Sequence, residues 1–347
     1  MKLLIVTQKV NKDDPILGFF HRWIIEFAKH FESITVICLE MGKYELPKNV
    51  KVLSLGKEEK QSRLQYLIHF YWYIQHEKKN YDAVFVHMNQ EYLILAGWLW
   101  RLWGKKVYMW RNHYEGSSLT DVASIFCHKI FCTSKYSFTA KYKKTVLMPV
   151  GIDTEIFKPV DTVDRMKDSI LFLGRIAPSK RPDILIDSLI LLDKKGIDFS
   201  ASIYGDPSND SREYYQSLID KVQNSNLIPK IKFHSCIPNH ETPLIYSSHQ
   251  IFVNLSPSGM YDKTIFEAMA CGCLSISSNK NLEGMIASSL LFKECNNDSL
   301  SNRLQTLLTI SRQEKDKLCR DSIELVDSKH SLSKLALSLC GAIESIT

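Results

Sequence analysis

Between Gln250 and Ser278 the chain reads as a strand, a polar loop, a short helix and a second strand, and this unit constrains the fold more than any other stretch. Gln250-Ile-Phe-Val-Asn-Leu255 is a short apolar run of the kind that lies in a buried parallel sheet. Pro257, Ser258 and Gly259 break it, and a helix is predicted from about Lys263 to Ala270. Gly272 can take the positive φ that ends a helix, and Leu274-Ser-Ile-Ser277 opens the next strand. In open α/β sheets, ligands sit in the crevice at the carboxyl ends of the strands. The amides of Thr264 and Ile265 would lie at the helix start, where unpaired N–H groups and the helix dipole attract an anion such as phosphate. Glu267, one turn in, would bring a carboxylate to the same mouth, able to accept hydrogen bonds from a vicinal diol such as a ribose. Thr264-x-x-Glu267 is equally the spacing of a capping box, which needs no ligand.

The same alternation runs along the rest of the chain. Strands are predicted at 2–7, 34–39, 50–55, 83–87, 106–110, 129–134 and 146–149, with helical spacing over 23–31, 64–74, 92–103 and 122–127. The pattern restarts with strands at 169–174, 199–204 and 231–234 and helices at 182–192, 214–224 and 242–248. A short strand at 290–292 and helices from about 298 to 346 follow. Such alternation argues a doubly wound parallel sheet, and 347 residues exceed what one core supports, so two domains are expected. No eighteen-residue apolar stretch occurs to span a bilayer. The first residues are too short an apolar run for a secretory signal. Nine cysteines without close spacing read as reduced, buried thiols of a cytosolic protein, and Cys271-Gly-Cys273 lacks a second ligand pair for a metal.

Charge divides the chain unequally. Residues 1–150 carry 22 Lys and Arg against 13 Asp and Glu, whereas the whole chain is only +6. A basic first half suits an anionic partner: nucleic acid, a membrane surface or a phosphorylated substrate. No basic helix or aromatic RNA motif stands out, which argues against nucleic acid. The stretches Trp98–Lys106 and Arg63–Lys79 mix aromatic and basic residues as a membrane interface does. Trp and Leu at helical spacing are more often core, so the Trp residues are assigned to the core and the Lys residues to the surface.

Gly174-Arg175-Ile-Ala-Pro-Ser-Lys180 follows a strand and precedes a helix with Pro182 near its first position. Glycine lets backbone approach a ligand, and Arg175 and Lys180 put two cations at the loop mouth, which suits a departing pyrophosphate and is equally the pattern of two solvated basic residues. Asp13-Asp14 lies in a polar loop and is expected to be solvated. His21 reads as a helix-start residue packed on the sheet. His87 ends a buried strand, where ligand-facing residues gather, and is as readily a satisfied structural group. Tyr204-Gly205-Asp206 reads as a turn.

Phe266-Glu-Ala-Met-Ala-Cys-Gly-Cys-Leu274 resembles the C-terminal signature of the retaining GT-B glycosyltransferases of family 4, the glycosyl transferases group 1. Gly174-Arg175 with Lys180 five residues on resembles that family's diphosphate-binding loop, and Gly151-Ile-Asp-Thr-Glu-Ile-Phe-Lys-Pro159 its crossing between domains. The resemblance implies an α/β, GT-B fold of two Rossmann-like parallel-sheet domains facing a central cleft. Residues 1–150 would be the acceptor-side domain and 151–330 the nucleotide-sugar domain, with a C-terminal helix at 331–347 packing back toward the first.

It further implies a hexosyl transfer from a nucleoside-diphosphate sugar to a hydroxyl acceptor, with retention and without a metal or other cofactor. Donor contacts would come from Gly18, Gly174, Arg175, Lys180, Thr264, Ile265 and Glu267, and catalytic groups from Arg175, Lys180, Asp262 and His87. His234 to Ile237 would line the base pocket through backbone groups. The acceptor would be a saccharide or lipid-linked molecule of cell-surface polysaccharide or glycolipid synthesis. The protein would be cytoplasmic, with peripheral contact to anionic membrane at the inner face and no nucleic-acid partner. Two departures stand out. The first carboxylate of the family's Glu-x7-Glu motif is replaced by Gly259, with Asp262 the nearest acid, and the loop at Gly18 has one glycine where a pair is usual. The missing carboxylate also admits a degenerate nucleotide-binding partner subunit, and the architecture a sugar-nucleotide epimerase.

Overall fold

The computed structural model describes residues 1–258 and 261–344. The chain divides into two compact units, Met1–Gly151 with Leu332–Thr347, and Ile152–Ser331.

The first unit runs β1 (Lys2–Val10), α1 (Gly18–Ala28), β2 (Ser33–Met41), β3 (Val50–Ser54), α2 (Arg63–His76), β4 (Ala83–His87), α3 (Glu91–Leu102), β5 (Lys106–Trp110), α4 (Ser118–Phe126), β6 (Lys129–Cys132) and β7 (Thr145–Leu147). These strands form one parallel sheet in the order β3-β2-β1-β4-β5-β6-β7. The apolar run of β1 follows from burial on both faces: Leu3 and Ile5 enter one core, Leu4 and Val6 the other. β1 continues to Val10, past the predicted end at Thr7, because Lys9 and Val10 pair with Glu40 and Met41 of β2.

The second unit runs β8 (Ser169–Leu173), α5 (Pro182–Lys194), β9 (Ser200–Tyr204), α6 (Arg212–Asn224), β10 (Ile231–His234), α7 (Thr242–Ser248), β11 (Ile251–Asn254), α8 (Lys263–Ala270), β12 (Leu274–Ser277), α9 (Asn297–Thr309) and α10 (Arg312–Leu325). Its parallel sheet has the order β10-β9-β8-β11-β12, with Ile170, Phe172, Ile251 and Val253 in one core cluster on one face and Leu171 and Phe252 buried on the other. The strand predicted at 290–292 is instead a short 3-10 turn, Ser288–Leu290, with one bridge from Leu291 to Ser277. The last helix, α11 (Leu332–Glu344), belongs to the first unit, where the Tyr108 hydroxyl donates to the Ile343 carbonyl at 3.0 Å.

Three surface expectations change. Asp14 is not merely solvated, because its Oδ1 accepts from the amides of Ile16 and Leu17 and its Oδ2 pairs with Lys9. Trp100 is buried, but Trp98 and Trp72 are 52% and 57% exposed, since the outer faces of α3 and α2 turn them away from the sheet. Cys236 and Cys295 are exposed rather than buried.

Candidate functional site

The loops after β8, β9, β10 and β11 converge at one end of the second sheet. Backbone bonds lace the first three together: Gly174 N donates to Tyr204 O, Gly205 N to His234 O and Ile176 N to Asp206 O, at 3.0, 3.0 and 3.1 Å. The lacing is so close that a Cβ at Gly205, whose φ is 149°, would run into the Gly174 carbonyl. Only glycine serves there. Above this floor the Tyr204 and His234 rings stack at 4.3 Å.

Arg175 stands exposed at the start of the loop after β8. Lys180 closes the 3-10 turn that precedes Pro182 at the start of α5. It does not hang in solvent: its ammonium donates to Ser256 Oγ at 3.1 Å and forms an ion pair with Asp262. Ser256 Oγ also donates to Asp262 Oδ2 at 2.6 Å, so three side chains from two loops close a triangle.

Asp262 is the N-cap of α8. Its Oδ1 accepts from the Thr264 amide at 3.2 Å and the Thr264 hydroxyl at 2.9 Å, and its carbonyl accepts from Ile265 N at 3.3 Å. The amides of Thr264 and Ile265 are therefore engaged by Asp262 rather than open to an anion, and the Thr264–Glu267 capping box does not form. Burial alone would raise the Asp262 carboxyl, but the Lys180 ammonium and the hydroxyl donors hold it far below the ordinary carboxylate range.

Glu267 is 3% exposed. Its oxygens accept from Asn239 Nδ2 at 3.2 Å and from the Tyr246 hydroxyl at 3.4 Å. Burial pushes its carboxyl up, and burial pushes the neighbouring Lys263 ammonium down, each charge pulling the other back. Asn239 and Tyr246 carried no sequence signal, since they come from the turn after β10 and from α7. Ser256 lay in the predicted loop, but nothing local marked it as a partner of Lys180.

The structure thus gathers Gly174, Arg175, Lys180, Asp262, Thr264, Ile265 and Glu267 at one end of one sheet. Gly259 lies outside the described residues. Gly18 and His87 belong to the first unit. Gly18 opens α1 with its amide bonded to the Asp14 carbonyl, and a Cβ there would lie 3.0 Å from the Lys12 carbonyl. His87 is 1% exposed, stacked on Phe20 at 3.8 Å with Nδ1 3.2 Å from Thr7 Oγ1, which makes it a core residue. His21 is buried, and its Nε2 accepts from the Glu45 amide.

Residues 153–324 match the glycosyl transferases group 1 family. Among curated proteins, the chain is 28% identical over 134 residues to the D-inositol 3-phosphate glycosyltransferase of Frankia alni, covering 35% of this chain and 33% of that one. It is 28% identical over 144 residues to the mannosylfructose-phosphate synthase of Agrobacterium fabrum, covering 38% and 32%. The matches thus span about a third of the length of these relatives. Among solved structures, Anabaena HepE in complex with UDP-glucose superposes with a TM-score of 0.80 at 15% identity, over 99% of this chain and 100% of that one. The sucrose-phosphate synthase of Thermosynechococcus elongatus does so with a TM-score of 0.75 at 15% identity, over 100% and 99%. At that identity the likeness is one of fold, and the fold is GT-B.

Proposed function

Residues 153–324 form a glycosyl transferases group 1 domain, and from that premise we propose that the protein transfers a hexosyl unit from a nucleoside-diphosphate sugar to a hydroxyl acceptor. The observation that carries the reading is the pair of cations on the β8 loop, Arg175 exposed and Lys180 tethered to Asp262. Two cations at the carboxyl end of a parallel sheet stabilise a diphosphate as its bond to the sugar breaks, and no metal is needed for that role. Positioning of the sugar supplies the rest of the rate. Glu267 with Asn239 and Tyr246 forms the polar wall that would hold the nucleotide side. Same-face transfer, with retention, follows the family signature.

The first unit would hold the acceptor, at an anionic membrane surface where polysaccharide or glycolipid is built. Its support is an apolar outer face: Leu64, Ile68 and Trp72 follow one stripe of α2, and Trp98 and Leu102 one stripe of α3, all exposed. Arg63 and Arg101 are exposed on the same helices. Apolar residues beside cations bind an anionic interface. Among the described residues, no helix is long and apolar enough to cross a membrane.

A thermal-shift screen of sugar nucleotides followed by a transfer assay tests the reading, and UDP-glucose, the ligand of HepE, is the first donor to try. Turnover of none of them would leave the partner-subunit reading, which the Gly259 departure motivates.

A further inference from the structure

The first unit contains a cavity of about 420 Å³ whose walls include Met88, Asn89, Arg111, Asn112 and His113. These residues directly follow two neighbouring strands, since β4 ends at His87 and β5 at Trp110. β4 adjoins β1 at the point where the strand order reverses, the place where open parallel sheets take ligands.

Arg111 gives the cavity its positive charge, with the Glu115 carboxylate also on its wall. Its Nε is buried without a hydrogen-bond partner. One terminal nitrogen donates to the Glu115 backbone carbonyl at 3.2 Å, a neutral acceptor rather than a carboxylate. A half-buried guanidinium held this way is costly until an oxyanion meets it, and its planar fork matches a phosphate with two parallel bonds.

The neighbours supply further donors and rigidity. Asn112 Oδ1 already accepts from Thr133 N at 3.3 Å and Ser137 Oγ at 3.0 Å, which leaves its NH2 as the group to donate. Asn89 is pinned by a 2.5 Å bond to Gln8. Met88 holds the left-handed conformation, φ 69°, that a long side chain avoids. Strain of this kind collects at ligand clamps.

We propose that this cavity is an anion subsite that takes a phosphate carried by the acceptor, with the Arg111 fork and the Asn112 amide as its donors. The word acceptor rests on the transferase reading; the anion subsite rests on the cavity. The surplus of 22 basic over 13 acidic residues in 1–150 draws the same ligand class from solution.

The test uses the full chain carrying Arg175→Ala and Lys180→Ala, so that the β8 loop contributes no phosphate site. Titration calorimetry with inorganic phosphate should give saturable binding, and adding Arg111→Gln should weaken it by at least about tenfold, as loss of a charge-assisted contact requires. Arg111→Lys, which keeps the charge and loses the fork, should bind at an intermediate level and serves if the Gln variant folds poorly. Two ligand pairs identify the source: glucose 6-phosphate against glucose, and a short-chain polyprenyl phosphate against its alcohol. Preference for the phosphorylated member of either pair supports the subsite. Equal binding within both pairs, phosphate binding indifferent to Arg111, or an adventitious ion only, seen as non-saturable uptake, overturns it. Nucleoside diphosphate binding to the wild type tests the transferase reading separately.

Discussion

The Lys180 ammonium rests on the Asp262 carboxylate, a pairing between residues 82 apart in sequence that joins the loop after β8 to the start of α8. One acid thus neutralises a cation of the diphosphate loop and caps the helix beside it. A donor phosphate arriving at Lys180 would compete with Asp262 for the same ammonium.

Donor binding should depend on Arg175 more than on Lys180, because Arg175 is exposed whereas Lys180 must first loosen its hold on Asp262. Arg175→Ala should cost about 2–5 kcal/mol in nucleoside diphosphate affinity if its contact is desolvated. Calorimetry in the presence of EDTA reads this directly. Equal affinities in wild type and both Ala variants would remove the β8 loop from the site.

Asp262→Asn should keep the helix cap and lose the ion pair, leaving the partly buried Lys180 ammonium with the neutral Ser256 hydroxyl but no counter-charge. Breaking such a pair costs about 3 kcal/mol of stability. The depressed pKa of Asp262 fixes the sign with pH. Its contribution is present above the ordinary carboxylate value of about 3.8 and is lost as pH falls through the lower folded value. Urea unfolding at pH 7 and pH 3 should show a wide gap between wild type and variant that narrows in acid. A melting temperature unmoved by Asp262→Asn at pH 7 would instead favour the bare capping role.

Gly205→Ala should damage the floor of the site, since the new methyl meets the Gly174 carbonyl at a φ of 149°. Strain at such a position is worth about 1–3 kcal/mol before any shift of the β8 loop. Denaturant titration should report that loss, and donor affinity should fall with it. Gly196→Ala, also at positive φ but with open space around it, is the control for backbone strain alone.

The outer face of α2 and α3 should bind anionic vesicles. Co-sedimentation with phosphatidylglycerol vesicles should fall in Trp72→Ser with Trp98→Ser, and it should weaken for wild type as salt shortens the Debye length toward about 8 Å. The folded core should be untouched, because both indoles are more than half exposed. Retention of full vesicle binding by the double variant would clear this face of the role.

The sequence by itself determined the elements. Apolar runs such as Leu3–Val6 must be buried on both faces, and α8 falls on Lys263–Ala270 as its spacing and its flanking Pro257 and Gly272 require. The resemblance around Glu267 and the Gly174-Arg175 loop marked the GT-B fold, while turn chemistry and periodicity, which act within one element, set its strands and helices. Only the tertiary structure decided the partners. That Asp262, which caps α8 locally, also holds Lys180 depends on β8 lying beside β11 in the sheet. That Glu267 meets Asn239 and Tyr246 depends on α7 packing against α8. Trp98 and Trp100, two residues apart on one helix, differ in the same way: the sheet covers one and leaves the other to solvent. Local sequence carries no record of which element will be the neighbour, so a cation it displays as free, such as Lys180, can be assigned its partner only after the chain has folded.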